Sequence, residues 1–289
     1  MKKIFGISYI IFFLLSDSSL SGQESQDKKT KLFPDENLFP AMLVDPDEPQ
    51  SYISFTKLNK GDILDYDVYI PFAFGFRKGI VQWGMNNVSL DFASHTQFGW
   101  RREKNINPSG LRKSLINIDY MIGGSYNVQL NENLYARLRL FHRSSHLGDD
   151  YILLDSINPH GYWENDESNY EQSDITILYK YKTIKTYGGV GYVLSPSTPR
   201  KRLSFQLGAT VSDFSNPRLR SLVMGFDMKV LENNFYNPNL KCAAGIKFYK
   251  EKPFYLLAEY YTGHIPYSRF ESSLIINWIG IGIYLGSPF

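Results

Sequence analysis

Apolar and polar residues alternate along most of the chain from residue 51 onward. In the segment 134–143, leucine and alanine occupy even positions, and arginine occupies the odd positions 137, 139 and 143. Successive side chains of a β-strand point to opposite faces, so this pattern predicts a strand with one apolar and one polar face. Sustained helical periodicity is almost absent, and we therefore predict an all-β protein.

The same alternation predicts twelve strands separated by turn residues. They cover residues 51–58, 66–83, 87–100, 114–128, 134–147, 172–184, 186–195, 201–213, 219–231, 239–250, 253–263 and 274–286. If the C-terminus lies in the periplasm, the connections on that side are short, such as GMNN and QLNEN. The connections on the opposite side are longer, above all 148–172. An even strand number with this sorting of loop lengths predicts a transmembrane antiparallel β-barrel over residues 51–289.

The apolar face of each strand is expected to meet lipid, and the polar face a polar interior. In 114–128 the predicted outward residues are Ile116, Ile118, Tyr120, Ile122, Tyr126 and Val128. Closure of the barrel is required because backbone groups at an open strand edge find no partner in hydrocarbon. The final strand leads to Phe289, and a terminal aromatic residue resembles the signal read by the bacterial barrel-assembly machinery, an expected partner.

The N-terminus predicts export. Lys2 and Lys3 precede the apolar run Ile4–Leu15, which is too short to cross a bilayer, and small residues follow it. Residues 1–22 are therefore expected to be a cleaved signal peptide, which predicts the outer membrane of a Gram-negative bacterium as the location. Residues 23–50 are rich in Pro, Asp and Glu and predict an irregular leader, either periplasmic or tucked into the lumen.

Composition excludes several functional classes. The formal net charge of +2 gives no reason to expect nucleic acid as a partner, and the one cysteine, Cys242, permits neither an internal disulfide nor a thiolate metal cluster. The sequence contains no phosphate-binding glycine loop and no dinucleotide fingerprint, so no cofactor is expected. Acidic residues in the connection 148–172 allow calcium binding as a loose hypothesis, without a fixed ligand spacing.

Charged residues are predicted on both the inner and the outer side of the barrel. The predicted lumen-binding set is Arg137, Arg139, Arg143, Asp119 and Glu259, with Arg143 near Asp119 if the turn at 129–133 is tight. A wet basic column would favour anionic solutes, whereas interlocking Arg–carboxylate pairs would fill the lumen and stabilise the barrel. A basic outer loop is expected either to be solvated or to contact lipopolysaccharide phosphates through Arg101, Arg102, Lys104, Arg112 and Lys113.

Two motifs carry a family resemblance. The stretch RLRLFHRSSHLGDD, 137–150, and the upstream LFPAMLVDPDEPQS, 38–51, resemble the family of exported bacterial proteins called domain of unknown function 1207. In that family an Arg-rich strand runs into a similar His-x-Ser-Ser-His-Leu-Gly-Asp sequence. The resemblance would cover most of the mature chain, and it implies export and a barrel, but no activity.

A shorter resemblance concerns His142, Arg143 and Ser144. Outer-membrane phospholipase A and the lipid A deacylase resemble this chain in carrying His-x-Ser near the outer end of an ascending strand. Residues i and i+2 share a face, so His142 can lie beside Ser144 and accept its proton. The resemblance implies a third, acidic group, for which Glu171 is the first candidate and Asp155 the second. The alternative is that the Ser-Ser-His sequence caps the barrel rim through hydrogen bonds.

Three functions remain open from the sequence. The first is passage or binding of small polar or anionic solutes in the outer membrane. The second is hydrolysis of an outer-leaflet lipid ester, with outer-membrane phospholipid or lipopolysaccharide as the substrate. The third is a structural or adhesin barrel without throughput.

Overall fold

The computed structural model describes residues 30–59, 66–102, 110–148, 168–196, 201–212, 220–249, 253–266 and 275–286. A two-residue strand, β1 (Lys31–Leu32), precedes twelve long strands in this part of the chain. They are β2 (Ser51–Asn59), β3 (Val68–Trp83), β4 (Asn86–Arg102), β5 (Leu111–Gln129), β6 (Leu134–Leu147), β7 (Ser168–Tyr181), β8 (Ile184–Pro196), β9 (Leu203–Ser212), β10 (Arg220–Leu231), β11 (Pro238–Phe248), β12 (Phe254–His264) and β13 (Ile275–Leu285). The predicted signal peptide and the terminal Phe289 lie outside the described residues.

The twelve long strands form a closed antiparallel barrel, as predicted. Each strand pairs with its neighbour in the sequence, and β2 also pairs with β13, so that the sheet closes on itself. Ile53 lies opposite Ile283 across this closing pair. Closure gives every strand two hydrogen-bonded neighbours and so leaves no open edge. Among the described residues, no helix is long and apolar enough to cross a membrane.

The connections differ between the two ends of the barrel. At one end, here called the turn end, residues 84–85, 130–133 and 182–183 join successive strands. Gly84 has φ +54°, a backbone conformation that glycine adopts at little steric cost in a tight turn. At the opposite end, the loop end, β6 and β7 are separated by residues 148–167. This sorting of short and long connections matches the layout predicted from the sequence.

The two faces of the strands have the expected polarity. Leu140, Ile175 and Ile279 are exposed on the outside, whereas Arg137 and Arg139 on alternate positions of β6 are buried inside. One outward assignment was wrong. The β4–β5 register shifts between Gln97 and Phe98, where the partner changes from Asn117 to Leu115 and Ile116 is skipped. This bulge reverses the parity of β5, so Ile116 faces the interior and is fully buried.

The leader occupies the barrel interior. β1 pairs with β3 near the turn end, and Asn37 donates a hydrogen bond from Nδ2 to the carbonyl oxygen of Arg77 at 2.8 Å. Phe39 and Met42 then pack in a buried cluster with Leu178 and Tyr187 of the barrel wall. The sequence left open whether the leader is periplasmic or lies in the lumen. The contacts of residues 34–50 show that this part lies in the lumen.

An apolar layer fills the lumen nearer the loop end. Its buried members are Leu58, Tyr66, Tyr69, Ile116, Tyr261, Ile265, Ile276 and Trp278. The rings of Tyr261 and Trp278 stack with centroids 4.1 Å apart, and Tyr69 lies 5.4 Å from Trp278. The described lumen is therefore filled at two levels, by the leader nearer the turn end and by aromatic side chains nearer the loop end.

Candidate functional site

The residues singled out from the sequence lie mainly in the lumen and on the outer face of β6 and β7. In the lumen, Glu48 of the leader bridges two barrel arginines. Its Oε1 lies 2.8 Å from Nη1 of Arg77, and its Oε2 lies 3.0 Å from Nη1 of Arg137. Arg77 also binds Asp91 of β4 at 2.8 Å. Since all four side chains are buried, each charge is compensated by a partner rather than by bulk water.

Asp47 forms the second contact of the leader. Its Oδ1 accepts a hydrogen bond from Nη2 of Arg143 at 2.7 Å, and its Oδ2 binds Nζ of Lys229. Asp119 lies opposite Ser145 and Met121 opposite Arg143, so Arg143 and Asp119 are diagonal neighbours on the inner face rather than a directly opposed pair. The sequence alone did not reveal that a leader residue would supply the carboxylate.

The remaining predicted lumen residues also have polar partners. Arg139 binds Asp174 of β7 at 2.7 Å, and its Nη1 donates to the backbone oxygen of Asp47 at 3.2 Å. Asp119 accepts a hydrogen bond from Asn117 at 2.6 Å. Glu259 accepts one from the hydroxyl of Tyr284 and lies 3.6 Å from Nζ of Lys241. These contacts correspond to the interlocking alternative of the sequence analysis.

Basic residues of the barrel wall keep the two leader carboxylates ionised. Burial by itself would raise the pKa of Glu48, but attraction to Arg137, Arg77 and Arg139 lowers it from 4.5 to about 2. Burial likewise opposes ionisation of Asp47, yet Arg143 and Lys229 hold the pKa of that carboxyl well below its usual value. Two cavities in the wall of the lumen are each about 10 Å³, roughly the room of one water molecule. The lumen thus holds a docked, ionised leader.

The outer-face site begins with His142 and Glu171. The two residues lie directly opposite each other in the β6–β7 pair, and Nδ1 of His142 is 2.9 Å from Oε1 of Glu171. Their side chains are 43% and 45% exposed, on the apolar outer side of the barrel. Because a carboxylate can only accept, Nδ1 carries the proton and donates, which leaves Nε2 of a neutral imidazole as an acceptor. The first candidate acid, Glu171, is thus in contact with the candidate base.

Ser144 lies on the same outer face, between two histidines. Its Oγ is 2.8 Å from Nε2 of His146, two residues further along β6. Asn169 is directly opposite Ser144 on β7. From the sequence, His146 was expected only as part of the rim-capping alternative, although the His-x-Ser-x-His spacing of the strand places all three side chains on one face. Ser144 therefore has an imidazole on either side, and the hydrogen-bonded one is not the histidine that the sequence singled out.

The predicted loop contacts fall in three places. Arg101 and Arg102 end β4, and Lys113 in β5 is exposed with its Nζ 5.4 Å from the ring of Trp100. Arg112 is only 7% exposed, so its expected position on an outer loop surface was wrong: it shares the inward parity of β5 that precedes the bulge. Lys104 and Asp155 lie outside the described residues, as does most of the acidic connection considered for calcium.

Metal binding receives no support from the described part of the chain. There, no group of three or more His, Cys, Asp or Glu side chains is arranged to hold a metal ion.

Solved structures with a similar fold are outer-membrane proteins. The outer membrane phospholipase A from Escherichia coli is 12% identical, with a TM-score of 0.57, over 88% of this chain and 96% of that one. A Salmonella typhi outer membrane phospholipase dimer with bound calcium is 12% identical, with a TM-score of 0.55, over 85% and 95% of the two chains. LpxR from Salmonella typhimurium, also 12% identical over 82% and 99%, has a TM-score of only 0.42. At these identities the likeness concerns the fold alone.

A comparison with family models gives the same family that the two sequence motifs resemble. No curated protein matches the sequence. The model described as "Protein of unknown function (DUF1207)" matches residues 16–286, which include the leader and all twelve barrel strands. The chain therefore belongs to the DUF1207 family.

Proposed function

We propose that this protein is an exported outer-membrane barrel that hydrolyses ester bonds of outer-leaflet lipids at Ser144. The observation that carries the proposal is the paired arrangement on the outer face: His142 bound to Glu171 at 2.9 Å, beside Ser144 bound to His146 at 2.8 Å. Four polar side chains in hydrogen-bonded pairs stand here on a surface that elsewhere exposes leucine, isoleucine and tyrosine. Polar groups on the outer face are tolerated mainly near the membrane interface, where a lipid headgroup or ester could contact them.

The location of the site fits a lipid substrate. Ser144 and His146 are near the end of β6 at Leu147, and Glu171 is near the start of β7 at Ser168, so the site lies at the loop end of the barrel. Long loops of outer-membrane barrels face the cell exterior, so the loop end would lie in the outer leaflet. A lipid ester could approach Ser144 sideways from the membrane without entering the filled lumen.

The chemistry follows from the positions of the side chains. Ser144 Oγ would attack the ester carbonyl while His142 Nε2 takes its proton, and Glu171 would hold the imidazole in the required tautomer. The proton then passes to the leaving alcohol, and water hydrolyses the acyl-enzyme by the same route. Asn169, whose Cβ should be about 5 Å from that of Ser144 in a directly opposed pair, is the candidate donor to the oxyanion.

Attack requires Ser144 to change partner. His142 and Ser144 are about 7 Å apart along the strand, a distance that two facing side chains can span. In the structure, the Ser144 hydroxyl points to His146, which has no carboxylate partner among the described residues. We therefore assign His142, oriented by Glu171, as the base and His146 as the partner of Ser144 before substrate binds.

Fatty-acid release from phospholipid and from lipopolysaccharide by the purified full chain in detergent tests the proposal. We expect activity in wild type and in Ser173→Ala, another serine on the outer face, and its loss in Ser144→Ala. If Ser144→Ala and wild type release equal background amounts, the protein is not a Ser144 hydrolase. His142→Ala should reduce the rate at least 100-fold and His146→Ala less. The reverse order would exchange the roles of the two histidines.

Solute passage, the first function considered from the sequence, has less support from the lumen. The arginines that would attract anions bind carboxylates of the leader and of β7, and the apolar layer lies above them. A channel would require the leader to leave the lumen. The structural or adhesin alternative depends on the external loops, much of whose length lies outside the described residues.

A further inference from the structure

A small turn at the loop end organises a basic and aromatic surface. Residues 232–237 connect β10 and β11 and contact the segment that precedes β9. Oε2 of Glu232 accepts backbone hydrogen bonds from Arg202 at 3.2 Å and from Leu203 at 3.1 Å. Oδ1 of Asn233 accepts another from the backbone of Lys201 at 3.4 Å. The turn thus fixes the backbone from which the Lys201 and Arg202 side chains project.

Both cations lie against exposed aromatic rings. Nζ of Lys201 is 5.1 Å from the ring centre of Phe235, and the guanidinium of Arg202 is 5.7 Å from that of Tyr192. Arg202 also donates to the Tyr192 hydroxyl at 3.4 Å. Within the described residues neither cation pairs with a carboxylate, since Glu232 is engaged by backbone N–H groups. We call these residues, with Tyr236, the rim patch.

The aromatic residues of the rim patch are held in an unusual backbone conformation. Phe235 has φ +54° and Tyr236 has φ +60°, so each is a non-glycine residue in the left-handed region, which is sterically unfavourable for L-residues. Phe235 is nevertheless 80% exposed. An exposed ring beside a cation is typical of the membrane–water interface, where the ring contacts apolar chains and the charge contacts headgroups.

The rim patch lies on the same part of the barrel rim as the outer-face site. The backbone N–H of Val193 bonds to the oxygen of Arg202, and Val193 lies opposite Gln172, the neighbour of Glu171. Three strand spacings of about 4.8 Å therefore separate β9 from β6, which carries Ser144, roughly 14 Å. If the proposed hydrolysis is correct, a lipid A molecule held at the rim patch would extend across β8 and β7 toward Ser144, but binding itself does not depend on it.

We propose that the rim patch binds a phosphomonoester group of lipid A in the outer leaflet. A phosphomonoester carries a charge of about −1.5 to −2 at neutral pH, which matches two adjacent cations that form no ion pair with a carboxylate among the described residues. A glycerophospholipid phosphodiester carries a single negative charge and matches the pair less well. Arg202 can donate two parallel hydrogen bonds to phosphate oxygens, while Phe235 and Tyr236 contact the acyl chains.

Binding of purified lipid A to the full chain in detergent tests this proposal, measured in the Ser144→Ala background so that no turnover interferes. We expect the double variant Lys201→Gln, Arg202→Gln to bind at least tenfold more weakly. Phe235→Ala should weaken binding less. The matched control is Lys182→Gln, because Lys182 lies 5.2 Å from the ring of Tyr181 at the turn end, far from lipopolysaccharide.

Three ligands distinguish the source of the phosphate. Removing the phosphates of lipid A enzymatically should weaken its binding to the Ser144→Ala protein as much as the double substitution weakens binding of intact lipid A. Phosphatidylglycerol micelles and inorganic phosphate should bind that protein much more weakly than intact lipid A does. Equal binding of dephosphorylated lipid A, or of phosphatidylglycerol, would overturn the assignment. So would a double variant that keeps a native circular-dichroism spectrum and binds lipid A as the unsubstituted chain does. If the wild-type protein binds lipid A as expected but releases no fatty acid, only the proposed function of Ser144 is refuted.

Discussion

Neutralising Glu48 should destabilise the protein, because this leader carboxylate bridges two buried arginines. In Glu48→Gln, Arg137 loses its carboxylate partner among the described residues, whereas Arg77 keeps Asp91 at 2.8 Å. Breaking a buried ion pair by removing one partner costs about 3–5 kcal/mol. The glutamine amide can still accept one hydrogen bond through its oxygen, so we expect the lower end of this range.

The pKa of Glu48 gives an independent magnitude. Its fall from 4.5 to about 2 corresponds to about 3 kcal/mol of preferential stabilisation of the ionised carboxylate, since one pKa unit is worth about 1.4 kcal/mol. Both routes therefore predict a loss of about 3 kcal/mol in the free energy of unfolding. Equilibrium urea unfolding in lipid vesicles, followed by tryptophan fluorescence, measures this quantity.

The matched control is Glu36→Gln, which removes an exposed carboxylate from the same leader. It should change stability by less than about 0.5 kcal/mol, as surface substitutions generally do. Adding Arg137→Met to Glu48→Gln should recover part of the loss, because it removes the uncompensated buried charge. A loss in Glu48→Gln no larger than in the Glu36 control would refute the view that the leader is held by these ion pairs.

Three further predictions concern the lumen. Because the folded-state pKa of Glu48 is depressed, its stabilisation is complete above pH 4.5 and disappears as the pH falls toward about 2; protease protection of the leader should decrease over that window. The full chain should give no steady current in planar bilayers, and anion-selective openings that are lost in Arg139→Ala would contradict a filled lumen. Tyr284→Phe removes a hydroxyl that contacts Glu259 and Lys241, and should cost about 1–3 kcal/mol by urea unfolding, whereas Tyr260→Phe on the outer face should cost little.

The strand pattern was predictable because each strand responds separately to its two environments. The predicted segment 134–147 coincides with β6, and most other strands begin and end within a few residues of their predicted limits. The inward position of Arg137, Arg139 and Arg143 follows from the same alternation. The exception on β5 shows the limit of this reasoning, since the bulge at Ile116 is a property of the pairing between β4 and β5.

The partners of these side chains were not predictable in the same way. Asp47 and Arg143 are separated by 96 positions, and nothing local to either residue indicates that they meet. The sequence allowed the leader, including Glu48, to lie in the lumen, but it identified no partner for this carboxylate. On the outer face, the sequence named His142 beside Ser144, yet the serine hydroxyl bonds to His146, because side-chain rotation decides between two neighbours at equal spacing.

The sequence by itself thus determined the barrel, the number of its strands and the face on which most side chains lie. Period-two alternation is a local property, and lipid outside and polar surroundings inside act on every strand in the same way. Only the tertiary structure decided that the leader fills the lumen, that Glu171 holds His142, and that Lys201 and Arg202 share one surface with Phe235. These contacts join residues far apart in the chain, and only the closed register of the barrel brings them within reach.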